Sequence, residues 1–397
     1  MGMSRRDGSS GGAYDLVVVG AGIFGLSVAL EAARRGRATL VVERGTLPNP
    51  RAASFGPSRK FRTAYSEPLY AALAREALAA WREVEAQVGA SLYVPAGNLY
   101  VTNLDDQPHL DQREAVARQV GARVRAFDER GMRARFPQFK RARRGLLDLD
   151  AGILRASACV EALYALALRQ GVVFALERAA EAIEPSGSGL AVRVGDRTYR
   201  AQQVVLAGGG WSGQLFPELK EVLRQCQQGI LYVHGVPATF EPPDFAPFVC
   251  LDNGFFGFPS EPVVGLKIAQ HMLEGNTLDS PDFERCSSPA GFVEDAERFL
   301  RDDLGLRLAD YPVTYDSCMY NLSPSNDFLI DGHPELPGLF FATAGSGHGF
   351  KFGPIIGKIA LDRLSGLPSA RWHARFSYEH FRTPAPAVVT HWAHLGI

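Results

Sequence analysis

Two groups of residues near opposite ends of the chain have the types and spacing that handle redox chemistry. Near the N-terminus, Val17-Val18-Val19-Gly20-Ala21-Gly22-Ile23-Phe24-Gly25 sets three glycines in Gly-x-Gly-x-x-Gly spacing, with Glu43 and Arg44 about twenty residues on. Gly20 suits a tight turn, Gly22 lets backbone approach a pyrophosphate, and Gly25 lets a helix pack closely on a strand. A helix that starts at this turn offers unpaired N–H groups and its positive dipole end to phosphates. Glu43 can accept hydrogen bonds from ribose hydroxyls. Near the C-terminus, Ser317-Cys318-Met319-Tyr320 is followed by Gly345-Ser346-Gly347-His348-Gly349-Phe350-Lys351. A nucleotide site at one end, with a Gly/His/Lys loop and an unpaired cysteine at the other, points to a flavin enzyme.

These residues need a framework that brings the two ends together. Leu16–Val19 reads as a buried parallel strand, Leu26–Arg35 as an Ala-rich helix ended by Gly36, and Ala38–Val42 as the next strand. Ile153-Leu154-Arg155, a helix over Ser157–Gln170 closed by Gly171, and Val172–Ala175 read as returns to the same sheet. Ala191–Val194 and Tyr199–Ala201 read as a small antiparallel meander. Gln203–Ala207 then breaks into Gly208-Gly209-Gly210-Trp211, where backbone can again pass close to a cofactor, so Gly208 and Trp211 join the candidates.

Two other stretches differ in character. One holds short alternating strands such as Gly97–Val101 and an Arg-rich helical stretch; the other is rich in Gly, Pro and Phe. The fold class is therefore α/β plus β. A discontinuous Rossmann-like FAD-binding domain is expected over 14–91, 148–224 and 316–385, with a mainly antiparallel substrate domain over 92–147 and 225–315. Residues 1–13, polar and rich in Gly and Ser, read as a disordered leader.

Composition narrows the function class. A net charge of −1 gives no electrostatic reason to expect nucleic acid or an anionic membrane. Five scattered cysteines show neither a disulfide framework nor a metal-ligand pair, and no metal is expected. No run is long enough for a membrane-spanning helix, the first residues lack an apolar signal region, and Leu395-Gly396-Ile397 is not a peroxisomal address. The expectation is a cytoplasmic protein. Only six of the 42 basic residues are lysine, so a lysine inside an apolar or Gly-rich run stands out.

Five pieces of the chain together resemble one family, the monomeric sarcosine oxidase family of FAD-dependent amine and amino-acid oxidases. They are Gly20–Gly25 with Glu43; Ser58-Arg59-Lys60-Phe61-Arg62-Thr63-Ala64-Tyr65; Gly257-Phe258-Pro259-Ser260 with Gly265-Leu266-Lys267 and His271; and the two C-terminal motifs. They span almost the whole chain in the family's order. The resemblance implies a D-amino-acid-oxidase-like fold and a monomer. It implies FAD bound covalently through Cys318, as a thioether to the 8-methyl position of the flavin ring. Such chemistry needs a thiolate beside an electrophilic carbon.

The resemblance also distributes roles. Arg62 and Lys351 would hold the substrate carboxylate, a planar fork joined by a compact charge. Lys267 would stabilise the charge that develops on oxygen, and His271, four residues on along a strand, would orient the amine or stabilise the transition state. Arg44, Ser54, Arg59, Gly345, Gly347, His348, Gly349, Phe350 and Lys351 would contact the cofactor, with Ile23 and Phe24 of the first turn. Phe256 stands where the family carries a pocket tyrosine, the Cys250–Gly254 approach is one residue shorter, and Phe55 replaces a histidine. These departures are as compatible with a larger or more apolar amino acid as with sarcosine. The expected activity is oxidation of a secondary or cyclic α-amino acid to its imine, with O2 reduced to hydrogen peroxide. The alternatives are a dehydrogenase of the same fold that passes electrons to a quinone or an electron-transfer protein, and a flavin-binding protein without turnover.

Overall fold

In the computed structural model, residues 14–271 and 276–382 are described. The expected leader and the last three residues of the expected 316–385 segment lie outside them.

The N-terminal run Leu16–Val19 forms most of β1 (Tyr14–Val19) because its β-branched residues are buried on both faces, as a central parallel strand requires. It lies between β2 (Thr39–Val42) and β12 (Arg197–Leu206), parallel to both. β9 (Val173–Ala175) extends the sheet beyond β2, and β19 (Leu339–Thr343) runs parallel to the end of β12. β18 (Leu329–Gly332) closes that edge antiparallel to β19. β10 (Ala182–Ser186) and β11 (Gly189–Val194) form a hairpin on the first half of β12. One ten-residue strand thus serves both the expected meander and the expected buried strand. Helix α1 (Ile23–Arg34) starts three residues before the expected Leu26, directly after Gly22. It packs on the sheet together with the helix Gly353–Leu364.

A second eight-stranded sheet runs β17 (Val313–Leu322), β13 (Arg224–Val233), β16 (Gly265–Gln270), β15 (Phe255–Glu261), β14 (Phe248–Cys250), β5 (Asn98–Thr102), β7 (Arg144–Asp148) and β6 (Val124–Phe127). Its pairing is antiparallel except where β14 meets β5. β5 does not alternate: Leu99 and Val101 pack into one core and Tyr100 into another, so both faces are buried. β17 differs from the expected layout. A boundary at residue 316 falls inside this strand, which pairs along its length with β13, so Cys318 rides on the second sheet.

Ile153-Leu154 also sits elsewhere than expected. β8 (Gly152–Leu154) pairs with β3 (Arg59–Phe61) and β4 (Tyr93–Val94) in a separate three-stranded sheet. The strand that opens the Arg62 segment is therefore anchored in this small sheet. Helix α2 (Pro68–Val88) follows it and buries Tyr70, Ala74, Ala77 and Trp81 in the core shared with α1. Each large apolar side chain buried there contributes roughly 1.5–3 kcal/mol.

Candidate active site

Two adjoining cavities meet beneath the Gly345–Phe350 loop. The larger begins at the turn after β1. Gly20 has φ +101°, and a Cβ there would lie 2.5 Å from the Ala207 carbonyl oxygen; one at Gly25 would lie 1.9 Å from the carbonyl oxygen of Gly20. Only glycine permits this turn. No side chain caps α1 at Gly22, and the Ile23 N–H donates to Ser54 Oγ at 3.0 Å. Glu43 accepts from the Ala21 N–H at 2.7 Å and from Asn49 Nδ2 at 2.9 Å. Arg44 lies 4.8 Å from the Trp211 ring centre, and both side chains reach Asp282. Gly22, Ile23, Phe24, Glu43 and Arg44 line this cavity, as do Ser54, Gly208 and Trp211. At its other end stand Cys318, Gly345, Gly347 and Gly349.

The residues present fit FAD. The cavity runs from the N-terminus of α1 and an acidic residue to a glycine-rich loop beside a cysteine, and Gly20 and Gly25 stand where a Cβ would meet backbone.

The second, smaller cavity shares a wall with the first: Arg59, Cys318, Tyr320, Gly347 and Phe350 line both. His348 and Lys351, expected at the cofactor, line only this one, and Gly25 lines neither; it packs α1 instead. Arg59 fastens the preceding loop by donating to the Ala53 and Phe55 carbonyls at 2.6 and 2.7 Å, and its Nη2 stands 3.7 Å from Cys318 Sγ. Arg62 and Lys351 are each only 3% exposed, without a carboxylate partner among the described residues. Lys351 Nζ donates to the Tyr65 hydroxyl and the His348 carbonyl at 2.8 and 2.7 Å. Arg62 Nη1 is buried and has no hydrogen-bond partner among the described residues. A buried, unpaired guanidinium nitrogen lining a cavity is a donor that lacks its acceptor.

Lys267 and His271 share a face four residues apart, Lys267 on β16 and His271 just past its end, and both reach this cavity. Lys267 Nζ lies 3.5 Å from the Ser58 carbonyl and 4.9 Å from the Phe258 ring centre. Burial, with the nearby charge of Arg59, lowers its pKa to about 7. His271 stacks on Phe256 at 4.5 Å and shares a 3.1 Å hydrogen bond with the Tyr320 hydroxyl. Burial, then the charges of Arg62, Lys60 and Lys351, push it well below the usual histidine range, so the ring is neutral at physiological pH. Burial and then Arg62 likewise push Lys351 well down.

Three groups here had no assigned role in the sequence reading. Tyr65 joins Lys351 and Arg62, whose guanidinium lies 5.0 Å from its ring centre. Asp148, wholly buried, accepts from the N–H groups of Thr63 and Ala64 at 2.7 and 2.8 Å and fixes the chain just past Arg62. Lys60 is a further basic side chain lining the cavity. Tyr65 and Lys60 were visible as letters of a motif; nothing local marked Asp148.

Comparison with known proteins bears on the family and the fold. The family model described as "DAO: FAD dependent oxidoreductase" matches residues 15–363. The chain is 30% identical over 382 residues to human peroxisomal sarcosine oxidase, covering 93% of this chain and 96% of that protein. It is 30% identical over 365 residues to monomeric sarcosine oxidase of Streptomyces avermitilis, covering 88% and 93%. Among solved structures it resembles NikD, described as an unusual amino acid oxidase essential for nikkomycin biosynthesis. That likeness has TM-score 0.79 and 25% identity, over 96% of this chain and 99% of that one. The expected fold and the expected family resemblance are thereby borne out.

Proposed function

The chain belongs to the DAO family of FAD-dependent oxidoreductases, and from that premise we propose that it oxidises the C–N bond of a secondary or cyclic α-amino acid, with oxygen as acceptor. One observation carries this reading: beside the cofactor-sized cavity lies a second cavity with two buried cations, Arg62 and Lys351, and an unsatisfied Arg62 nitrogen. Relatives of the chain are named for sarcosine and N-methyl-L-tryptophan.

Arg62 and Lys351 bind the substrate carboxylate. Arginine stays charged when buried, and a bound carboxylate restores the charge that burial takes from Lys351. The same positive surroundings that depress His271 act on the substrate's ammonium and favour loss of its proton. Neutral His271 accepts a hydrogen bond from the amine and, held by Tyr320, orients it. FAD, held by the Gly20–Gly25 turn, Glu43 and the Gly345–Phe350 loop, would supply the two-electron redox chemistry that links C–N oxidation to reduction of oxygen to hydrogen peroxide. Lys267 sets a positive charge where oxygen is reduced, which favours the oxidase over the dehydrogenase reading. Water hydrolyses the imine, or the imine persists if cyclic. Cys318, in the wall shared by the two cavities, is the residue we assign to covalent attachment, with Arg59 beside its sulfur. A relative named as monomeric supports a monomer.

A panel of N-methyl and cyclic α-amino acids assayed for peroxide tests the proposal. At least one should give steady peroxide release; silence across the panel would refute it.

A further inference from the structure

Lys60 is a cation that the reading above does not use. It lies on β3 two residues before Arg62. The strand's alternation sends Phe61 into the core while Lys60 and Arg62 both line the second cavity. The Lys60 ammonium donates to the Phe248 carbonyl, and three rings surround it. The centres of Phe256, Phe258 and Phe248 lie 5.2, 5.3 and 5.9 Å away.

Five basic side chains line this cavity (Arg59, Lys60, Arg62, Lys267 and Lys351), and no acidic one does among the described residues. One carboxylate on Arg62 and Lys351 leaves Lys60 without a counter-charge. Lys60 is half-buried, yet its ammonium sits inside the aromatic box, where an apolar side chain of similar length would pack without placing a charge among the rings. Burial, and then the charges of Arg62, Lys267 and Lys351, hold the Lys60 pKa well below its ordinary value. An anion beside it would reverse that.

We propose that Lys60 is a second anion subsite, and that the substrate carries a further carboxylate on its side chain or N-substituent. This rests on the amino-acid oxidase reading and narrows it. Phe256 lies against both Lys60 and His271, so the part of the substrate that joins its two ends is aliphatic and crosses that ring.

Calorimetric titration of the holoenzyme with glutarate and with butyrate tests this. Neither acid contains an amine, so the readout is binding and not turnover. Glutarate should bind at least about tenfold more tightly than butyrate, the scale of one charge-assisted contact in a poorly solvated site. In Lys60→Met the two affinities should fall within about twofold of each other. No glutarate preference in the parent overturns the subsite whether or not the variant folds, as does a preference that survives in Lys60→Met. A preference that depends on Lys60, in a protein that oxidises no amino acid, overturns the oxidase reading and leaves the anion subsite standing.

Discussion

The Lys351 ammonium donates to the Tyr65 hydroxyl at 2.8 Å, and the Arg62 guanidinium lies over the same ring, 5.0 Å from its centre. One tyrosine thus sets the position of two cations that approach from opposite ends of the sequence. Trp81 holds the arrangement from behind, its indole N–H donating to the Lys351 carbonyl at 2.7 Å. Two basic groups that repel when both are charged are kept together by packing, which suits a site whose third member is an anion.

If that anion is the substrate carboxylate, Arg62→Ala and Lys351→Ala should each lower kcat/KM for an α-amino acid by roughly 10- to 150-fold, the loss of a charged hydrogen bond. An amine lacking the carboxylate should be a poor substrate for the parent and respond little to either change. Steady-state kinetics on the matched pair decides it. Equal losses on both substrates would assign these residues to structure.

Asp148 gives a prediction about positioning. Its carboxylate accepts from two backbone N–H groups and, at 2.8 Å, from the Thr63 hydroxyl. An asparagine would turn an NH2 group toward donors, so Asp148→Asn should cost about 1–3 kcal/mol in a urea melt. KM for the amino acid should also rise as the Arg62 segment loosens. A melt superimposable on the parent's would remove Asp148 from this role.

Cys318 should leave the flavin in the pellet after acid precipitation, with a peptide mass that includes the cofactor. Cys318→Ser should release its flavin under the same treatment while still binding it through the Gly20–Gly25 turn. Full release from the parent would rule out a covalent bond.

Lys267 should make oxygen reactivity depend on pH. Its charged form, which favours charge development on oxygen, predominates below a pKa of about 7 in the unliganded protein. Reoxidation of the reduced enzyme should therefore slow as pH rises through that ionisation. Any negative charge on the cofactor would move the transition upward. Lys267→Met should be slower by about 100- to 1,000-fold and lack the pH-dependent limb. Stopped-flow mixing with oxygen reads both, and an unchanged profile would exclude the lysine.

What the sequence made legible was local or periodic. The Gly20–Gly25 turn with Glu43 follows from spacing alone, and so does the shared face of Lys267 and His271. Pairing partners were not legible. Ile153-Leu154 has the composition of a core strand, yet it joins β3 and β4, because nothing within three residues says which edge it meets. Cys318 was expected with the nucleotide-binding segments, but its strand completes the second sheet through β13. Lys60 acquires its setting only when β14 and β15 bring three phenylalanines around it. Asp148 read as a segment boundary because its partners lie 84 and 85 residues away.

The most direct measurement is anaerobic titration of the purified yellow enzyme with an N-methyl α-amino acid, followed by admission of air. The flavin's visible absorption band should bleach with about one equivalent of substrate and return with release of about one equivalent of peroxide, the two-electron stoichiometry of C–N oxidation. The decarboxylated amine should leave the band unchanged. A band that no N-methyl or cyclic amino acid bleaches, or that the carboxylate-free amine bleaches as fast, would contradict an amino-acid oxidase built on Arg62 and Lys351.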